Sequence, residues 1–223
     1  MILQQDPTII VGLFEDREHA ARLLARRLES YRNTNSIIMA VPRGGVPVGY
    51  HVALELGLPL EVVACRKVKH PGDRSRTIGS VCPGEVVIHD DDREIPREYI
   101  QHTLANLQSM VRRRQHEYDE RSAPVSLREK TVIVVDDWLR TGDTLMACLK
   151  NIQKQDPGKI IVAVPIVTQE AIQLVRPEVN EVIFLVMDDA VRAPSYTYFP
   201  NVSEEEVLQL IQGFKGEPRG PVR

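Results

Sequence analysis

The hydrophobic positions of this chain alternate between two periods. Short unbroken apolar runs occur at Ser36–Val41 (SIIMAV), Leu60–Ala64, Val132–Val135, Lys159–Pro165 (KIIVAVP) and Glu181–Met187. Their length and β-branched content predict strands buried on both faces. Between them, apolar residues recur every three or four positions, as on one face of a helix. Ala20, Leu24, Leu28 and Tyr31 form the stripe of a first helix that Asp16 can cap, with arginines on its other face. Val46–Leu56 reads as a second helix, ended by Gly57. Ile100, Leu104, Leu107 and Val111 mark a long helix from Pro96 to about Tyr118. Another runs from Thr144 to about Gln155, where Pro157-Gly158 stops it, and a short one covers Gln169–Val175. Ser203, with Glu206 three residues on, opens a last helix through a capping box.

Strands alternating with helices imply parallel pairing and right-handed crossovers. The pattern therefore predicts an α/β fold, a doubly wound parallel sheet flanked by helices. Thr8–Gly12 reads as an edge strand. Ile78–Val81 and Glu85–His89, around Pro83-Gly84, read as a hairpin that forms a small flap or hood. Residues 1–212 make one domain, and the Gly/Pro-rich, basic stretch 213–223 reads as a frayed tail.

Composition narrows the classes. A chain of 223 residues with 43% hydrophobic content can bury one good core. A net charge of -3 argues against a general nucleic-acid partner. Cys65, Cys82 and Cys148 are odd in number and lack CxxC spacing, which fits reduced thiols and not a disulfide frame or a zinc site. No apolar run approaches the roughly 20 residues of a membrane span, and the N-terminus lacks a basic leader. A cytoplasmic protein is expected.

Three segments carry candidate chemistry, each following a predicted strand. Pro42-Arg43-Gly44-Gly45 combines a cationic fork with two glycines opening a helix, a combination that suits phosphate or equally an ordinary turn. The stretch Arg66–Arg76 (RKVKHPGDRSR) holds five basic side chains and reads as a solvated loop. Such a loop could bring Lys67, Lys69, Arg74 or Arg76 over a polyanion as a lid, with His70 as its candidate catalytic histidine. The third segment, Thr131–Thr144 (TVIVVDDWLRTGDT), delivers Asp136 and Asp137 to a strand end and then Thr141-Gly142-Asp143-Thr144 to a helix N-terminus. A helix start with a glycine and two hydroxyls is a phosphate seat, and the adjacent carboxylates suit hydroxyls or Mg2+.

The string VIVVDDWLRTGDT (Val132–Thr144) resembles the phosphoribosyl-diphosphate (PRPP) motif of type I phosphoribosyltransferases. The other two segments stand where that family has its pyrophosphate loop and its flexible catalytic loop. The resemblance implies a Mg2+-dependent enzyme that transfers phosphoribosyl from PRPP to a nucleobase-like nitrogen and releases pyrophosphate. It gives Asp136 and Asp137 the ribose hydroxyls and the metal, directly or through water. Arg140, Thr141, Gly142, Asp143 and Thr144 take the 5-phosphate, and Arg43, Gly44, Gly45 and Lys67 the pyrophosphate. The base would lie near Asp188 and Tyr196, with Asp189, Tyr198 and Phe199 as neighbours. A homodimer is also implied.

The motif departs from the family in two places. Arg140 stands where the 6-oxopurine enzymes carry an acid, which argues against that subclass, and Asp143 fits beside a phosphate only if it points outward. Trp138 reads as packing and Asp90–Asp92 as a helix-leading turn. Two alternatives remain open: a non-catalytic PRPP or nucleotide sensor of the same fold, and a phosphotransferase with Asp136 or Asp137 as nucleophile.

Overall fold

The five apolar runs lie side by side in a computed structural model that describes residues 13–89, 95–122, 124–189 and 195–214. The expected strand at Thr8–Gly12, the Asp90–Asp92 turn and nearly all of the tail lie outside those residues. In chain order come α1 (Arg17–Arg27), β1 (Ser36–Ala40), α2 (Gly45–Leu56), β2 (Leu60–Val62), β3 (Arg66–Lys69), β4 (Thr77–Cys82) and β5 (Glu85–Ile88). There follow α3 (Arg97–Asp119), β6 (Thr131–Val135), α4 (Asp143–Gln153), β7 (Lys159–Val167), α5 (Gln169–Val175), β8 (Glu181–Met187) and α6 (Glu204–Gly213).

The main sheet has the order β2-β1-β6-β7-β8, and all its pairs are parallel. Side chains alternate across the strands and build two cores. Ile38, Ala40, Ile133, Val135, Ile161 and Ala163 meet residues of α1, α2, α3 and α6. Ile37, Met39, Val132, Val134, Ile160 and Val162 meet α4 and α5 on the other face. That is the doubly wound arrangement expected. Local signals set the helix ends: Asp16 accepts from His19 N–H (2.8 Å), Thr168 from Ala171 N–H, and Ser203 from Glu206 N–H. Gly57 closes α2 at φ 63°. Among the described residues no helix is long and apolar enough to cross a membrane.

The stretch Arg66–Arg76 needs correction. Arg66–Lys69 is a strand, not part of a solvated loop, and pairs antiparallel with β4, so the second sheet has three strands in the order β3-β4-β5. Val68 is the reason: it is fully buried, while Arg66, Lys67 and Lys69 take the wetter positions around it. Three charges thus mask a half-buried strand. This small sheet packs on α4, where Ser80 Oγ accepts from Ala147 N–H (3.3 Å) and Asn151 Nδ2 donates to Pro83 O (2.7 Å).

On the edge strand β2, Glu61 is buried, and Val125 N–H donates to its Oε1 (3.0 Å). Burial pushes its carboxyl up from 4.5 to about 7, with Asp119 adding to the rise. Between those values the folded chain holds the extra proton, so stability is fullest at the acid end and falls as pH rises through about 7. Glu61→Gln should remove about 3 kcal/mol of that loss. Urea unfolding at both ends of the window measures it, and an unchanged slope against pH would refute the assignment.

Candidate functional site

From β1 the chain crosses to β2 on one side, and from β6 it crosses toward β7 and β8 on the other. The carboxyl ends of β1 and β6 therefore flank a switch point, where an open α/β sheet leaves a crevice for ligands. Two of the three expected segments meet there. A Cβ placed on Gly44 would stand 1.8 Å from Asp137 Oδ2, and one on Gly45 would stand 2.7 Å from Val135 O and 2.8 Å from Asp136 Cα. Neither glycine has a positive φ. Both are required by close approach: the loop after β1 runs directly against the acidic pair.

Asp137 is held on several sides. Arg17 Nε donates to its Oδ2 (2.8 Å), and Arg17 Nη1 donates to Pro200 O (2.8 Å). The guanidinium lies 3.8 Å from the Phe199 ring centroid. Phe199 stacks on Tyr196 at 4.6 Å, and Tyr196 Oη donates to Asp137 O (2.9 Å). Asp136 Oδ1 accepts from Asp137 N–H (2.8 Å). Its carboxyl is pushed well above the usual carboxylate range, first by burial and then by the neighbouring Asp137 charge. The crevice floor thus holds one carboxylate paired with arginine and one carboxyl that favours its proton.

The third element is the start of α4. Leu139 N–H donates to Ile166 O and Thr168 N–H to Leu139 O, which fixes the loop against β7. Gly142 turns the chain at φ 78°, where an added Cβ would also meet Val175 Cγ2 and Leu174 Cδ2 at 3.1 and 3.2 Å. The first N–H groups of α4 have no intrahelical partner and carry the positive end of its dipole. Asp143 does not meet the condition of pointing outward. Its Oδ2 accepts from Thr141 Oγ (2.8 Å), and its Oδ1 lies 3.1 Å from His89 Nε2 at the end of the flap. Lys67 on β3 also senses this group: partial burial lowers its ammonium, and the Asp143 charge acts in the opposite direction.

Residues 15–193 match the family model of the phosphoribosyl transferase domain. The chain belongs to the phosphoribosyl transferase family. The helix-flanked parallel sheet is the type I fold that the motif implied. A Mycobacterium tuberculosis protein named "Putative phosphoribosyl transferase Rv0571c" is 29% identical over 209 residues, covering 89% of this chain and 46% of that protein. The chain thus spans about half the length of the curated relatives it matches. The crystal structure of TT1426 from Thermus thermophilus is 30% identical with a TM-score of 0.73, covering 89% of this chain and 97% of that one. The AQ2163 protein from Aquifex aeolicus, 12% identical with a TM-score of 0.51 over 77% of this chain and 73% of its own, shares the fold.

With the family established, the remaining candidates can be located. Arg43 is exposed and lines a cleft with Arg66, Arg114 and Glu204. Asp188 accepts from Ser195 Oγ (3.0 Å), whereas Tyr196 is buried with its hydroxyl on Asp137, so the two have different partners. Asp189 Oδ1 accepts from Gln169 N–H at the start of α5. His70 Nδ1 accepts from Gly72 N–H within its own turn. Trp138 packs against the cluster of Phe14, Ala20, Ile166 and Tyr196, as expected, and Arg140 lies 5.9 Å from its ring centroid.

Arg17 and His89 are the residues that sequence reasoning missed. Arg17 sits one residue after the Asp16 cap among several arginines, and only its burial at 8% exposure sets it apart. His89 ends a short strand with no partner nearby in sequence, so nothing local marks it.

Proposed function

We propose that this chain is a phosphoribosyltransferase that uses PRPP and Mg2+ to transfer phosphoribosyl to a nucleobase-like nitrogen, releasing pyrophosphate. One observation carries the reading: the Gly44-Gly45 backbone abuts the Asp136–Asp137 pair at the switch point, beside the open N-terminus of α4. A phosphorylated sugar diphosphate carries the three kinds of group that these elements suit: a phosphate, hydroxyls and a pyrophosphate. Asp136 and Asp137 would accept the ribose hydroxyls, and the α4 amides with Thr141 and Thr144 would hold the 5-phosphate. The Gly44 N–H would face the pyrophosphate, whereas Gly45, whose N–H donates to Val41 O (3.1 Å), would allow the close approach, with Lys67 and Arg43 supplying charge at its far side. In the reaction the bond from C1 to the pyrophosphate oxygen breaks, and its electron pair leaves with pyrophosphate. The acceptor nitrogen then bonds to C1 and gives up its proton. The protein contributes fixed charge around the leaving group and keeps water away from the cationic C1.

Mg2+ fits these residues. Asp136 and Asp137 offer hard oxygens, and a divalent cation would offset the Asp137 charge that, after burial, pushes Asp136 up. When bound, the ion would neutralise charge on the departing pyrophosphate. Calorimetry of PRPP with Mg2+, followed by a screen of free bases for pyrophosphate release, tests the proposal. Absence of PRPP binding at millimolar concentration would reject it.

Asp143 gives the sensor reading its one specific support, because its carboxylate occupies the Thr141 hydroxyl inside the phosphate seat. PRPP binding without turnover on any base would favour that reading. Asp143→Ala should free Thr141 and remove a like charge, tightening PRPP about tenfold, or about 1.4 kcal/mol. Calorimetry on the variant reads this directly, and weaker binding would show that Asp143 assists the phosphate.

A further inference from the structure

All three cysteines of the chain meet at one buried point. Cys65 lies between β2 and β3, Cys82 ends β4, and Cys148 sits in the middle of α4. Their Sγ atoms all lie within 4.8 Å of one another, and those of Cys82 and Cys148 are 2.8 Å apart. Exposure is 7% for Cys65, 1% for Cys82 and 0% for Cys148. Along the sequence they read as separate reduced thiols without metal spacing. The flap sheet folding back on α4 brings them together, and no local spacing records that.

We propose that Cys65, Cys82 and Cys148 form a three-thiolate site for a soft monovalent metal ion, Cu(I). Thiolate sulfur selects soft ions, and a structural zinc site almost always needs a fourth ligand. Among the described residues the group contains only the three sulfurs, with no histidine or carboxylate joining it. The surroundings are apolar, with Val63, Leu145 and Leu149 in the same core, so water is kept from the ion. Metal–sulfur bonds of about 2.3 Å would set three sulfurs around an ion about 4 Å apart. Cys82 and Cys148 therefore open by about 1 Å, and the third sulfur is already within range.

The chemistry balances simply. Three S–H bonds give up their protons to solvent, three Cu–S bonds form, and no electron is transferred. Arg66 and Lys67, next in sequence to Cys65, offset the negative charge left on the site. The third thiol is what favours a metal over a disulfide, which would use two sulfurs and leave Cys65 idle. A bound ion would tie the edge of the main sheet, the flap and α4 together at one atom.

The test uses the full reduced chain under anaerobic conditions, titrated with Cu(I) against a chromophoric Cu(I) chelator. Expected are one copper per chain by native mass spectrometry, thiolate-to-copper absorption in the near ultraviolet, and protection of all three thiols from alkylation by peptide mapping. Cys65→Ala, Cys82→Ala and Cys148→Ala, each checked for folding by circular dichroism, should each weaken copper at least about 100-fold. The protection map needs no variant, so it stands even if a substitution fails to fold. Copper lost to the chelator, copper bound with any thiol still alkylated, or a Cys82–Cys148 disulfide formed in its place would each overturn the site.

Discussion

Arg17→Met should cost about 3 kcal/mol of stability, one of the two largest effects expected in this molecule. The substitution removes the donor to Asp137 Oδ2, the donor to Pro200 O and the cation over Phe199 in one step. The side chains of the pair are only 10% and 13% exposed, so the remaining carboxylate cannot recover its lost partner from bulk water. It is also left beside Asp136, whose carboxyl the same charge already pushes up. For a chain of this size the melting temperature should fall by about 6–12 °C. Arg17→Lys should lie between, because an ammonium keeps the charge but not the planar fork that reaches two acceptors at once. Chemical denaturation of the three proteins measures this, and a loss below about 0.5 kcal/mol for Met would class the pair with ordinary surface bridges.

Gly44→Ala should act on the ligand more than on the fold. The new methyl would stand 1.8 Å from Asp137 Oδ2, a separation that requires movement. The carboxylate cannot swing away cheaply, since Arg17 holds it, so the loop after β1 must lift off the acidic pair. PRPP affinity should fall at least about 100-fold, or about 2.7 kcal/mol, with the circular dichroism spectrum preserved. PRPP bound as tightly by Gly44→Ala as by the parent would contradict the crevice assignment.

Much of this is readable in the chain's own pattern. β1, β6 and β7 are central strands, so their sequences are unbroken apolar runs, and α1, α5 and α6 carry side-chain caps at Asp16, Thr168 and Ser203. The PRPP motif is contiguous, which is why one strand and one turn suffice to find it. What escaped was non-local. β3 hides behind its charges because a single buried residue, Val68, is all that its inner face needs. Arg17 lies 120 residues from Asp137, and the three thiols come from three elements, so only folding reveals either cluster. His89 belongs with them, since its contact with Asp143 links the flap to the start of α4.

The Arg17 clamp also sets an order of events in synthesis. Its guanidinium bridges Asp137 to Pro200 O, a carbonyl 183 residues further along the chain. At about 5–20 residues per second, the ribosome takes roughly 10–40 s to supply that carbonyl after residue 17 is made. During that interval β1 and β6 can pair and the acidic pair can form, yet the arginine lacks its second anchor and its aromatic platform. The clamp on Asp137 is therefore complete only when the segment around residue 200 docks.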